Sequence, residues 1–359
     1  MDVASRMALI QQVGEEILTP DELKTLLETK EHPIAYDGFE PSGNLHIAQG
    51  LLRAINIGKM LDAGCNFTML VADWHAWCNN KYGGDLEKIK VAGEYFVEVW
   101  KAAGLDTKKV RFVWASDLVK DPGYWAKVIN VARHSTLPRI LRTTQIMGRS
   151  DKDELSAAQI FYPCMQAADI FELNVDICQL GMDQRKVNIL AREIGPKLFG
   201  RKPVAVHHHM LMGLQQPAAP TGEGDKFDRT IALKMSKSSP NTAIFMTDSA
   251  DDVNRKIKNA YCPEKQVPEN PILEYCRYIV FQRMKSLHIE RPAKFGGPLD
   301  IASYDELEAL FAAGKLHPMD LKSGVATAIN QLLDPVRGHF SKGKPAKLLE
   351  QVRGYEVTR

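Results

Sequence analysis

Glu40-Pro41-Ser42-Gly43-Asn44-Leu45-His46-Ile47-Ala48-Gln49-Gly50 joins a short apolar run to a stretch with helical spacing. Before it, Pro33-Ile34-Ala35-Tyr36 reads as a buried strand, and Gly38 to Gly43 as a turn. From His46 to Ala63 the apolar residues recur at helical intervals, and Gly64 supplies a stop. A strand, a glycine turn and a helix start together present backbone N–H groups and the positive end of a helix dipole, a setting that favours phosphate. An imidazole at that helix start adds one more donor. Taken alone, His46 reads first as a surface or core histidine; the Glu-Pro-Ser-Gly lead-in and the strand–turn–helix setting point to a nucleotide.

The segments on either side extend the pattern. Phe67 to Ala72 is a second buried strand, Asp85 to Ala103 a helix stopped by Gly104, and Val110 to Trp114 a third strand. Val175 to Leu180 and Pro203 to His207 resume strands. This alternation predicts an α/β fold with a parallel sheet covered on both faces, and ligands at the carboxyl ends of its strands. A helical segment of about 120–158 interrupts the rhythm and reads as an insertion. The first thirty residues read as helical, with Thr19-Pro20 opening one helix. Gln215 to Asp228, rich in Gly, Pro and charge, reads as a mobile loop. Beyond Ser249 the patterns are helical and without strands. Two domains are expected, 1–248 and an all-α 249–359.

Composition excludes several classes. The 359 residues carry a net charge of +2 and 45% hydrophobic side chains, an ordinary globular balance. No apolar run approaches the ~20 residues that span a bilayer. The start has no signal-peptide layout, so a cytoplasmic location is expected. Six scattered cysteines without a CxxC pair read as free buried thiols. Charge is uneven: Arg133, His134, Arg139, Arg142 and Arg149 form one basic string, and Arg337 to Arg359 another. Either fits a solvated helix face or a nucleic-acid patch.

Two further stretches carry chemistry. Lys234-Met235-Ser236-Lys237-Ser238 sets two lysines on a short loop before a Ser-Pro-Asn turn, able to close over a departing pyrophosphate. In Tyr162-Pro163-Cys164-Met165-Gln166-Ala167-Ala168-Asp169, Pro163 suits a first helical turn. Tyr162, Gln166 and Asp169 then share one face, and buried polar groups on an apolar face need a network or a polar ligand. Asp73 and His75 sit at a strand end, where ligand contacts cluster. His207-His208-His209 alternate across a strand and make a poor metal site, so no metal is assigned and this strand end is read as lining adenine.

With both lysine and histidine signatures in order, the chain resembles the tyrosyl-tRNA synthetases of the archaeal and eukaryotic branch, class I enzymes, from roughly Glu22 to Arg337. The resemblance implies a Rossmann-like catalytic domain, a helical anticodon-binding domain, and ATP-dependent attachment of L-tyrosine to tRNA(Tyr) through an adenylate. ATP with Mg2+ is the implied substrate complex, with no tightly bound cofactor, and the insertion is implied to form a homodimer interface. His46, Gln49, Lys234 and Lys237 are the implied catalytic residues. Gly38, Glu40, Ser42, Ala48, Gly181, Asp183, Met210, Leu211, Met235 and Ser236 join His46 and the lysines around ATP. Tyr162, Gln166 and Gln184 are implied to hold the tyrosine amino group, and Tyr36 and Asp169 its phenol, with Asp73 and His75 nearby. Arg142, Arg185 and Lys186 are implied to meet the acceptor stem; Phe295, His317 and Asp320 the anticodon.

Two departures stand out. The family's His-Ile-Gly-His is His46-Ile47-Ala48-Gln49 here, and Lys237 stands where many relatives carry serine. Rival readings are a tryptophanyl-tRNA synthetase, a catalytically inactive synthetase-like RNA-binding protein and a small nucleotidyltransferase. The pairing of Asp169 with Tyr36 favours a phenol over an indole, the retained His46 and lysines favour an enzyme, and residues 295–322 have no use in the last.

Overall fold

The computed structural model describes residues 1–148, 154–218 and 226–356. Helices α1 (Val3–Gln11) and α2 (Pro20–Thr29) flank strand β1 (Gly14–Leu18). Strand β2 (Ile34–Phe39) leads to helix α3 (Leu51–Asp62), strand β3 (Asn66–Val71), and helices α4 (Asp73–Cys78) and α5 (Leu86–Ala102). Strand β4 (Val110–Trp114) is followed by helices α6 (Ala115–Leu118), α7 (Pro122–Arg133), α8 (Leu137–Thr143) and α9 (Ala157–Glu172). Strand β5 (Ile177–Gly181), helix α10 (Arg185–Phe199), strand β6 (Val204–His208) and helix α11 (Lys226–Leu233) complete the α/β part. Helices α12 (Ala250–Lys258), α13 (Pro271–Tyr275) and α14 (Phe281–Arg283) follow, then strands β7 (Leu287–Ile289) and β8 (Leu299–Ile301). Helices α15 (Tyr304–Ala312), α16 (Pro318–His339) and α17 (Gly343–Gly354) end the described chain.

The main sheet runs β1-β6-β5-β2-β3-β4. β2 to β6 are mutually parallel, and β1 lies antiparallel on β6. Its strands are apolar on both faces because helices cover both. One buried cluster joins one face to α7, α9 and α10. The other runs from α1, α3 and α5 into α12, α16 and α17 without a break, so the C-terminal helices share a core with the sheet.

Local chemistry explains the ends of several helices. Thr19 and Glu22 make a reciprocal capping box for α2 with Pro20 at its first turn, as expected. Ser156 and Gln159 do the same for α9. That box starts α9 before Pro163, which lies inside the helix and not in its first turn.

Other expectations need correcting. Gly14–Leu18 is a strand, because its backbone pairs with β6. His46 does not open a helix: it forms a bridge with Phe245, and α3 starts at Leu51. The C-terminal part is helical but also holds the β7–β8 ribbon, which the pattern did not show. Residues 219–225 of the expected loop and Arg149 lie outside the described residues, and α11 already begins at Lys226.

Candidate active site

A cavity of about 380 Å³ opens at the carboxyl ends of β2 and β5, where the strand order turns back on itself. β2 contributes Tyr36, Gly38 and Phe39; the connection after it, Glu40, Ser42, His46, Ala48 and Gln49. α9 contributes Tyr162, Gln166 and Asp169 from one face, as the spacing predicts. Asp183 and Gln184 follow β5, Met210 and Leu211 follow β6, and Lys234 to Lys237 close the remaining side.

The buried end is built on Asp169, whose side chain is inaccessible. Its Oδ1 accepts a hydrogen bond from the Tyr124 hydroxyl at 2.9 Å. Its Oδ2 stands 2.9 Å from Nε2 of His75. Burial opposes a charged imidazole, yet Asp169 beside it carries the His75 pKa above its ordinary value. Burial, and then the Asp169 carboxylate, push the Tyr36 phenol well above its usual range, so it stays a neutral hydroxyl. Tyr162 packs edge-on against His75, centroids 5.1 Å apart. Gln166 donates to Oε1 of Gln184 at 3.1 Å, and Gln184 donates to the Ile146 carbonyl at 3.1 Å.

The open end gathers cations. Lys234 Nζ lies 2.7 Å from Oδ2 of Asp183. Lys237 Nζ donates to the Ser42 carbonyl and sits 4.9 Å over the Phe96 ring. Burial, helped by Lys81 and opposed by Glu40, pushes the Lys237 ammonium down to about 7. Burial, then Lys237, Lys234 and Arg53, hold His46 well below its ordinary pKa, so it is a neutral imidazole. His46 Nδ1 and Gln49 Oε1 are buried and have no hydrogen-bond partner among the described residues, which suits groups that take a ligand. The His46 segment and the stretch after the lysine loop are laced together: Ile47 N–H donates to Ile244 O at 2.9 Å and Met246 N–H to Leu45 O at 2.8 Å.

Two of the residues assigned to tyrosine or ATP do not line the cavity. Asp73 accepts from the N–H groups of Trp74 and Ser116 at 3.0 and 2.9 Å, tying α4 to α6. Gly181 backs the wall: a Cβ there would stand 2.6 Å from Met210 Sδ and 2.7 Å from Asp183 Oδ1. The three adjacent histidines engage different partners. His207 meets Glu16 and Asn188, His208 meets Gln179, and His209 meets Glu15 and Glu274.

The remaining predicted residues lie outside the cavity. Arg185 directs its Nε to Glu16 at 2.8 Å, Lys186 reaches Gln145, and Arg142 is exposed in the last turn of α8. Phe295 is 59% exposed, on a turn between β7 and β8. Arg291 ties that turn to the Gly297 and Lys315 carbonyls, which brings it beside the start of α16. There His317 caps the helix, its Nδ1 accepting from the Met319 N–H at 3.2 Å, and Asp320 stands in the first turn.

Sequence reasoning missed Arg53, Asp37 and Tyr124. Arg53 lines the cavity, binds Asp37 and lies 4.4 Å over the Phe39 ring. Burial pushes the Asp37 carboxyl up to about 6, with Arg53 opposing the rise. An arginine inside the apolar run Leu51-Leu52-Arg53-Ala54-Ile55 was a readable signal, since a buried guanidinium needs a partner. Tyr124 carried no local signal.

The chain is similar to known proteins over most of its length. A family described as tRNA synthetases class I (W and Y) matches residues 28–334. The chain is 52% identical over its whole length to "Tyrosine--tRNA ligase 1, cytoplasmic" of Arabidopsis thaliana and spans 90% of it. It is 51% identical over 98% of its length to "Tyrosine--tRNA ligase 2, cytoplasmic" of the same plant, but spans 46% of that protein. A tyrosyl-tRNA synthetase of Pyrococcus horikoshii, solved with L-tyrosine, superposes with a TM-score of 0.90 at 39% identity, over 98% of this chain and all of that one.

Proposed function

The chain belongs to the class I tRNA synthetases of the tryptophan and tyrosine type, and from that premise we propose how its cavity attaches L-tyrosine to tRNA(Tyr) at the expense of ATP. A tyrosine carboxylate oxygen attacks the α-phosphorus of ATP. The bond to the β-phosphate breaks, and pyrophosphate leaves from a tyrosyl-adenylate. The terminal ribose hydroxyl of the tRNA then attacks the adenylate carbonyl, and AMP departs. Positioning and charge stabilisation suffice, with no covalent enzyme intermediate. Magnesium enters as the counter-ion of ATP.

The observation that carries the reading is the sharing of one cavity by Asp169 and Tyr36 at the buried end and His46, Lys234 and Lys237 at the open end. Tyrosine places its phenol between Asp169 and Tyr36. Phenylalanine would leave a buried carboxylate and hydroxyl with one partner too few, a loss of about 1–3 kcal/mol or more when a charge is involved. Tyr162, Gln166 and Gln184 receive the amino group. Glu40, Ser42, Ala48, Asp183 and the Met210–Leu211 end of β6 receive ATP. The neutral His46 offers one N–H to the α-phosphate, and Gln49 can donate beside it. Each lysine exchanges its present acceptor for a phosphate oxygen. Arriving phosphates stabilise the Lys237 ammonium, whose pKa burial and the nearby Lys81 push down to about 7.

Residues 1–248 act as the catalytic part and 249–359 as the anticodon-binding part. Phe295 stacks on the first anticodon base, Asp320 reads its edge, and His317 lies near the second. Arg142, Arg185 and Lys186 meet the acceptor stem, Arg185 by leaving Glu16. A second copy covers the insertion, a reading supported by the exposed Ile129, Leu137, Leu141 and Phe161 on α7 to α9. The proposed compartment is the cytoplasm; no helix among the described residues is long and apolar enough to cross a membrane.

The test is charging of unfractionated tRNA with labelled amino acids. Tyrosine is expected to be incorporated and tryptophan not. Tryptophan incorporation, or none of either, would contradict the reading.

A further inference from the structure

Three side chains of one short segment grip the connection that carries Glu40 and Ser42. Asn79 Nδ2 donates to Glu40 Oε2 at 2.9 Å, and Lys81 Nζ lies 3.4 Å from Glu40 Oε1. The Tyr82 hydroxyl accepts the Gly43 N–H. Asn79 is fully buried and is itself held by the Gln159 amide at 3.3 Å. The backbone of this segment is unusual: Asn80 at φ 57° and Tyr82 at φ 52° adopt left-handed conformations that side-chain-bearing residues seldom take. Such geometry persists only where surrounding contacts enforce it.

The Gly43 N–H and the Ser42 carbonyl belong to the same peptide unit. A trans peptide is planar, so the two groups point in opposite directions, and holding one fixes the other. Tyr82 holds the N–H, while the carbonyl accepts from Lys237 Nζ. Gly43 sits at φ 58°, where glycine moves freely, so its own backbone does little to fix the plane. Tyr82 is only 5% exposed, and its ring packs edge-on against Tyr355 just beyond α17, centroids 5.5 Å apart.

We propose that Tyr82 is a positioning residue for adenylate formation: by fixing the Ser42–Gly43 peptide plane it sets where Lys237 docks when ATP is bound. The proposal rests on the tyrosine-activation reading above. It adds a residue that touches neither substrate and ties the nucleotide loop to the C-terminal end of the described chain.

Tyr82→Phe keeps the ring and removes the hydroxyl. In tyrosine-dependent ATP–pyrophosphate exchange, the KM for ATP is expected to rise roughly three- to tenfold, the effect of one hydrogen bond. The KM for tyrosine is expected to stay within about twofold. In a Lys237→Ala background the same change is expected to add little, because both side chains act through one peptide. Unchanged ATP parameters, equal rises for both substrates, or additive losses with Lys237→Ala overturn the proposal. Should Tyr82→Phe fail to fold, Tyr355→Ala loosens the same ring from outside and carries the test: a smaller rise confined to the ATP parameter supports the proposal, and no such rise overturns it. Absence of exchange by the unaltered chain fails the parent reading instead.

Discussion

Asp169 must remain an acceptor in a fully buried place and still have lone pairs for a ligand. Tyr124 donates to one of its oxygens and His75 stands 2.9 Å from the other, and two carboxyl oxygens together offer more acceptor positions than these two neighbours fill. Asp169→Ala is expected to lower kcat/KM for tyrosine in exchange by about 100-fold or more, the loss of a charged hydrogen bond. ATP affinity is expected to change little; unaltered exchange kinetics would refute the assignment. His209 gives a pH-dependent case. Its Nδ1 lies 3.0 Å from Glu15 and its Nε2 3.2 Å from Glu274, and it stacks on Tyr278 at 4.3 Å. Burial disfavours its charge, but the two carboxylates outweigh that and raise it to about 9. A raised folded pKa stabilises fully below the unfolded value of about 6.5 and fades as pH rises through the folded one. His209→Gln is therefore expected to cost on the order of 3 kcal/mol below pH 6.5, by denaturant unfolding, with the gap closing by about pH 10. A gap independent of pH would contradict the ion pairs. Tyr162, Gln166 and Asp169 were legible because one helical period aligns them. Tyr124, Glu15 and Glu274 were not, because they reach their partners across 45 residues or more of chain.

The elements around the nucleotide end are set by contacts between distant strands of backbone. The apolar spacing from His46 to Ala63 suits a helix, but Leu45 and Ile47 instead pair with Met246 and Ile244. This delays α3 until Leu51 and pins the histidine segment to the stretch behind the lysine loop. Gly14–Leu18 was misread for a similar reason: Glu15 and Glu16 look helical, and only pairing with β6 makes the strand. The start of α9 was within reach, since Ser156 and Gln159 carry a capping box that the proline obscured. Gly50 tests the seam between the two segments. A Cβ there would lie 2.3 Å from Sδ of Met246, which is fully buried, so that side chain would have to repack within the core. Gly50→Ala is expected to lower unfolding free energy by about 1–3 kcal/mol and to slow adenylate formation, as overpacking does. Wild-type stability together with wild-type exchange would mean the seam yields.

Across the whole molecule, the parallel sheet and the helical C-terminal part were legible from alternation and its loss after Ser249. The shared core was not, because nothing local announces that α12, α16 and α17 pack on the same cluster as α3 and α5. The β7–β8 ribbon, three residues per strand, was too short to leave a pattern, yet it frames the exposed Phe295 turn. If the two ends of the molecule divide the labour as proposed, Asp320→Ala is expected to reduce tRNA charging while leaving pyrophosphate exchange near wild type. Equal losses in both assays would place Asp320 in the fold instead. Whether one cavity holds both ATP and a phenol-bearing amino acid is measured by ATP–pyrophosphate exchange with each of the twenty amino acids. Exchange is expected with tyrosine, and none above background with phenylalanine or tryptophan. Comparable exchange with either of those, or silence with tyrosine, would contradict the shared cavity.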